Sequence, residues 1–352
     1  MRLPKPGGTE TLEQFMTSTA LHSPSRLRQP WRTAQRLVAC VAAMFATAAS
    51  AGTLGVFTSP EAGFDTHTFY YDDGREVVVF DTQFVPQLTE AMVSKIRSET
   101  RSPITKVVVT HPNPDKFNGL PVLHALGATS ITSSAVAADI PGVHAYKQNF
   151  FVHIAKAFKA DTYPKLENVK ETFPGPSTTL KLASGETITL FALQHAGVAA
   201  HQLVARIDAT GDLIVGDLLQ HNAHAWLEGG IVDGKPAPDL DAWVGAVGEL
   251  PALASGHPNA KVYGGRGEFV PVSVAVPAQQ AYLRDALSIT KAAVRAAGNV
   301  CGPSQALPAT MAAVEKRLVE AYPQYKLPYI VHYSVYGLVG HLQQTVCAAS
   351  RR

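Results

Sequence analysis

The chain has 352 residues, 46% of them hydrophobic and 16% charged, which is the composition of a folded protein with a large core and excludes intrinsic disorder. Its formal charge of +2 comes from the first 51 residues, which carry six Lys/Arg and two Asp/Glu and leave 24 and 26 for the rest. That balanced remainder has no electrostatic footprint for nucleic acid.

The N-terminal 51 residues read as an export signal. Arg26, Arg28, Arg32 and Arg36 form a basic region, the apolar run Leu37 to Ala48 follows, and Ala49-Ser50-Ala51 supplies small residues for cleavage. The run is short for a membrane span, and no later stretch is long enough. The expectation is a periplasmic or secreted protein without stable membrane insertion after cleavage; an uncleaved anchor is the alternative. Residues 1–25 make a long leader, so Met16 is a candidate start. Cys40 would leave with the signal. Cys301 and Cys347 remain and could pair in an oxidising compartment, or stand as two separate thiols.

Phe69-Tyr70-Tyr71, Asp73-Gly74 and Val77 to Phe80 predict a hairpin with a tight turn. Leu88, Met92 and Ile96 mark one face of a helix. Lys106 to Thr110 is a buried Val-rich strand, followed by a helix over 120–126 and a strand over 130–132. Such alternation predicts an α/β chain. Short strands follow at 187–193, 203–207 and 213–215. A Gly/Pro-rich loop then spans 226–238, and a loop of that length usually serves a site. A helix is expected over 240–253 and a strand over 261–263. Three helices complete the chain: one starting at Pro277 and ending near Gly298, then 308–322 and 328–345.

The informative stretch is Val107-Val108-Val109-Thr110-His111-Pro112-Asn113-Pro114-Asp115-Lys116, a buried strand opening into a loop with a His and an Asp. Loops at strand ends are where α/β folds place ligand groups. Three more strand ends join it: Asp81 after Val77 to Phe80, Gly216-Asp217 after Leu213 to Val215, and Gly265-Arg266-Gly267 after Lys261 to Tyr263. In order and context these resemble the metallo-β-lactamase superfamily across most of residues 53–270. The resemblance implies a four-layered αβ/βα sandwich. Residues 52–270 would form it, with 271–352 a helical extension of the same domain.

The resemblance also implies a two-metal site, and here the chain departs from the pattern. His111 is kept, but Asn113 replaces the second His of H-x-H. The family's next histidine falls near Val198, with His195 about three residues early. Asp217 stands for the bridging acid and Asp115 is kept, whereas Lys116 and Arg266 replace two histidines. Protonated ammonium and guanidinium groups cannot ligate a metal, so these cations would take the second metal's place, with Asp115 as partner. What remains is at most one divalent metal, zinc first, on His111, His195 and Asp217, or no metal at all. His111 could instead be a structural histidine bonded to Asp115. His221 and His224, with Asn113, are candidate substrate-binding groups at the site mouth; the two histidines could equally pack against the long loop.

Two functional classes follow. One is an exported hydrolase in which Asp115, Lys116 and Arg266 handle a small anionic or carbonyl-bearing substrate. The other is a catalytically inactive protein of this fold that binds a small ligand. Ser288-Ile289-Thr290-Lys291 fits S-x-x-K but lacks its companion motifs.

Overall fold

Hydrophobic runs become strands where both faces are covered, and a computed structural model shows where, describing residues 52–298 and 306–350. In chain order, β1 (Thr53–Thr58), β2 (His67–Asp72) and β3 (Val77–Phe80) precede α1 (Pro86–Glu99) and β4 (Ile104–Val108). The short helices α2 (Pro114–Phe117) and α3 (Leu120–Ala125), β5 (Thr129–Ser133), α4 (Ser134–Asn149) and β6 (Glu171–Phe173) follow. They form one sheet in the order β1-β2-β3-β4-β5-β6. Its first pairings are antiparallel hairpins, and those from β3 to β6 are parallel. The expected turn after β2 is built by Asp73, whose Oδ1 accepts from the backbone of Arg75 and Glu76 at 2.7 Å.

The second half mirrors the first. Strands β7 (Ser177–Lys181), β8 (Thr187–Ala192), β9 (Leu203–Ile207) and β10 (Leu213–Gly216) form an antiparallel run. After a hairpin of β11 (Gly230–Val232) and β12 (Lys235–Ala237) come α5 (Leu240–Leu253), β13 (Lys261–Gly264) and β14 (Val270–Pro271). The second sheet is ordered β14-β13-β10-β9-β8-β7. Last come α6 (Val272–Ala296), α7 (Ala306–Ala321) and α8 (Tyr329–Ser350).

Three apolar clusters define the layers. Phe69, Val78, Phe80 and Val108 meet Ile188, Leu190, Leu203 and Ile214 between the sheets. Tyr70, Val77, Val79 and Val107 pack outward on Met92, Ile96, Leu120 and Val136 of the first helical layer. Val204, Leu213 and Val215 pack outward on Trp243, Val247, Tyr282, Leu318 and Val335 of the second. The central strands β3 and β10 bury both faces, and the architecture is the expected αβ/βα sandwich with C-terminal helices.

Local readings needed correction at three places. The expected loop over 226–238 contains the β11–β12 hairpin, turned at Asp233-Gly234, where both residues have positive φ. Helix α6 begins at Val272 rather than Pro277. Pro277 lies in its second turn, where it forfeits a single bond toward the preceding turn. Helix α4 carried little periodic signal because its buried face mixes Val136, Ile140 and Val143 with His144 and Lys147 and it contains Pro141; Ser133 caps it, accepting from Val136 N at 3.2 Å. Among the described residues no helix is long and apolar enough to cross a membrane. The expected export segment, residues 1–51, and Cys301 lie outside the described residues. Cys347 on α8 is disulfide-bonded.

Candidate functional site

The site gathers at adjoining ends of strands from both sheets. β4 delivers His111, and α2 behind it carries Asp115 and Lys116. β10 ends in Gly216-Asp217 and β13 in Gly264-Gly265-Arg266. Parallel pairing sets Gly216 beside Gly264, and Gly265 N donates to Gly216 O at 2.7 Å. Glycine is needed at both ends. A Cβ on Gly265 would lie 1.9 Å from Asp217 Oδ1, and one on Gly216, at φ +54, would lie 2.4 Å from the Thr110 hydroxyl.

Two acids and two cations interlock there. Lys116 Nζ stands 2.9 Å from Asp115 Oδ2 and 3.1 Å from Asp217 Oδ1. Arg266 Nη1 stands 3.0 Å from Asp217 Oδ2, and Nη2 stands 3.4 Å from Asp115 Oδ2. Thr66, just before β2, donates to Asp115 Oδ2 at 3.0 Å and accepts from Arg266 Nη2 at 2.8 Å. Arg266 Nε donates to the Phe64 carbonyl at 2.7 Å. All four charged residues are buried, Lys116 and Asp217 completely.

Burial would raise both carboxyls, but the two cations reverse it. Arg266 and Lys116 hold Asp217 well below the usual carboxylate range, and Lys116 and Arg266 lower Asp115. Burial would likewise depress the cations, yet Asp115 and Asp217 push Lys116 up, and Asp217 and Asp115 push Arg266 up. All four groups are therefore ionised at neutral pH.

A second chain of contacts leads into this cluster. Asp81, in a left-handed conformation after β3, accepts from Thr110 N at 2.8 Å and from Thr110 Oγ1 at 2.9 Å. Because that hydroxyl donates to Asp81, it accepts from His111 Nδ1 at 2.9 Å, which fixes the tautomer. His111 Nε2 faces Asp217 Oδ2 at 3.7 Å, beyond hydrogen-bond reach, and has no hydrogen-bond partner among the described residues. His111 is thus bonded through Thr110 to Asp81, not to Asp115. Burial pushes Asp81 up to about 6, the largest influence, with Lys116 and His111 opposing it.

The other candidates are placed apart. His195 is a surface residue, its side chain 52% exposed, with Nδ1 2.8 Å from Glu249 Oε1 on α5. Glu249 also accepts from the Gln194 and His195 amides, which anchors this loop on α5 and removes His195 from the expected ligand set. His224 is buried in the second helical layer, with Nδ1 3.0 Å from Tyr282 Oη and its ring against Tyr282 and Tyr325. Burial lowers its pKa to about 4. His221 is half-buried and bridges by its backbone to Glu268. His201 pairs with Asp139 at 2.8 Å.

Asn113 is at the mouth. It lines two cavities, of about 20 and 10 Å³, one on the Arg266 side and one on the His111 side. Trp226 and Lys147 line both as well, and Phe64, Phe84 and Phe151 close the first. Each is water-sized at most. Above them Lys147 of α4 pairs with Glu228, which also accepts from Trp226 Nε1 at 2.9 Å and from Tyr336 of α8. Sequence reasoning singled out the loop carrying Trp226 but not Glu228 or Lys147. Their signal was a charge inside an apolar stretch, which only tertiary contact makes specific. Thr66 carried no sequence signal.

Two facing sheets, outer helices and a site at strand ends define the class: the chain has the metallo-β-lactamase fold. No protein-family model matches it. Among solved structures it is similar to a metallo-β-lactamase from Pontibacter korlensis at 17% identity and a TM-score of 0.50, over 67% of this chain and 96% of that one. A DIM-1 metallo-β-lactamase exposed to ceftazidime is similar at 18% identity and a TM-score of 0.47, over 66% and 92%. At 17% identity the first likeness speaks for the fold alone.

That fold implies a zinc centre, and the residues here do not fit one. Both Asp217 oxygens face cations at about 3 Å, where a metal would meet direct charge repulsion. His195 is turned to Glu249. Among the described residues, no group of three His, Cys, Asp or Glu side chains is placed to hold a metal ion.

Proposed function

We propose that this chain is a non-hydrolytic small-ligand-binding protein built on the metallo-β-lactamase fold, working without a metal. The observation that carries the reading is the pairing of Asp217 with Lys116 and Arg266. A hydrolase of this fold needs that carboxylate for a metal that activates water. Here it pairs with two buried cations instead. The aromatic and charged mouth around Trp226 is the part that supports binding, since concave sites combine apolar walls with a few polar groups. The basic, apolar and small-residue succession over 26–51 supports export to the periplasm or outside the cell, which N-terminal sequencing of the mature protein tests.

The deciding experiment is elemental analysis of the purified mature protein, with and without added zinc, together with hydrolysis assays on β-lactam, ester, thioester and phosphodiester probes. The expected result is sub-stoichiometric metal and no turnover. Stoichiometric metal with turnover, both lost in Asp217→Asn, would overturn the reading.

A further inference from the structure

Where α1 ends and β4 begins, at the opposite end of β4 from His111, the chain forms a cavity of about 310 Å³. That volume reaches the lower end of the range for small-molecule sites. Arg97 and Arg101 line it together with the hydroxyl residues Thr100 and Ser102, over an apolar floor of Ile104 and a wall of Leu126. Leu126 is 37% exposed, whereas Ile104 is buried. No acidic side chain lines the cavity. Glu99, the one acid between 95 and 104, is taken by Lys95 and Tyr70.

Both arginines are exposed, and neither makes an ion pair or a hydrogen bond among the described residues. Cations at a helix C-terminus usually serve the last carbonyls. Here neither guanidinium donates to one, and the end of α1 is closed by Thr100 N, which donates to Ile96 O at 3.0 Å. The Thr100 hydroxyl accepts from Ser102 N at 3.0 Å, which leaves its proton to donate. The frame under these donors is fixed. The Pro103 carbonyl accepts from Val77 N at 2.8 Å, and Leu126 N donates to Leu123 O at 3.1 Å. Two like charges thus share one concave, preformed surface with no counter-charge from the chain.

We propose that Arg97, Arg101, Thr100 and Ser102 form a binding site for a phosphate monoester with a small apolar body. One guanidinium fork already spans the two oxygens of a carboxylate. Two forks and two hydroxyls suit a tetrahedral group with three terminal oxygens and a charge near −2 at neutral pH. The phosphate takes these donors, and the body lies against Ile104 and Leu126. The site stands apart from the Lys116–Asp217 cluster and does not depend on how that cluster is read.

The test uses phenyl phosphate as probe on the full-length mature protein at low salt, with binding read by calorimetry. One saturable site is expected, with inorganic phosphate and benzoate both binding more weakly. Arg97→Gln combined with Arg101→Gln should weaken phenyl phosphate at least about tenfold, as loss of charge-assisted bonds does. Arg97→Lys with Arg101→Lys keeps the charge without the fork and should fall between. Leu126→Ser should weaken phenyl phosphate and leave inorganic phosphate unchanged. Lys316→Gln, which removes an exposed cation on α7, should change neither. The arginines make no contact on which the fold depends, so the variants should keep the urea midpoint of the unmodified protein. Absence of phenyl phosphate binding at millimolar concentration would overturn the proposal. So would equal affinity without the two arginines, an equal loss in Lys316→Gln, or benzoate binding as tightly as phenyl phosphate.

Discussion

Asp81 is held by its backbone and its charge together. Its φ of +69 lies in the left-handed region, which Asp and Asn tolerate better than other residues with a side chain. Its carboxylate takes both the amide and the hydroxyl of Thr110, and so orients His111 through one shared oxygen. Burial raises it to about 6, against about 3.9 for an unfolded aspartate. The folded state therefore holds this proton more tightly than the unfolded state. Asp81's contribution is most favourable below about pH 4 and is lost as pH rises through about 6, a difference on the order of 3 kcal/mol. Asp81→Asn keeps the backbone preference and removes the titration. Chemical denaturation across this range should show the unmodified protein losing stability relative to the variant from about pH 4 to 6, with a constant difference above about pH 7. A difference constant over the whole range would mean that the carboxyl titrates alike in both states.

At the scale of elements, the ends of the strands matter more than their middles. β3, β4, β10 and β13 were readable because β-branched and aromatic runs buried on two faces leave few alternatives. The ends of β10 and β13 carry glycine because two backbones and a carboxylate share one space. Gly265→Ala would drive a methyl group into Asp217 Oδ1 and should cost about 1–3 kcal/mol in urea denaturation, as overpacking does. Gly248→Ala is the contrast. It lies exposed within α5, where the nearest atom to an added Cβ is the flexible end of Gln280 at 3.3 Å. There the better helix propensity of alanine should stabilise by about 0.5–1 kcal/mol. Equal effects at both glycines would show that the close approach at Gly265 relaxes without cost.

Across the whole molecule, the interlocked charges form a bridge between sheets. Asp115 and Lys116 follow β4 of the first sheet, whereas Asp217 and Arg266 follow β10 and β13 of the second. Lys116 touches acids from both halves. Lys116→Met would leave two buried carboxylates sharing one guanidinium, and removing one partner of a buried network costs about 3–5 kcal/mol. Urea unfolding should show that loss. Lys116→Met combined with Asp217→Asn should recover part of it, because the variants act on one network. A loss below about 1 kcal/mol would place this lysine among ordinary surface pairs.

The sequence by itself determined an α/β chain, since hydropathy patterns are local, and the αβ/βα sandwich followed from the resemblance carried by four strand-end motifs in order. It also gave, through that resemblance, the expectation that Lys116 and Arg266 replace two metal-binding histidines, because the charge of a residue is a one-dimensional fact. Whether His195 met Asp217 was not legible. That depended on the path of one loop, and the path is set by Glu249, more than fifty residues later in the chain. Thr66, Lys147 and Glu228 were hidden for the same reason: a single polar residue acquires meaning only from what folding brings within about 3 Å of it. The departure of Lys116 and Arg266 from the metal-binding pattern was visible in the primary structure. Only the tertiary structure decided that these cations take up both oxygens of Asp217, because charge pairing over a few ångströms is a property of where strand ends meet.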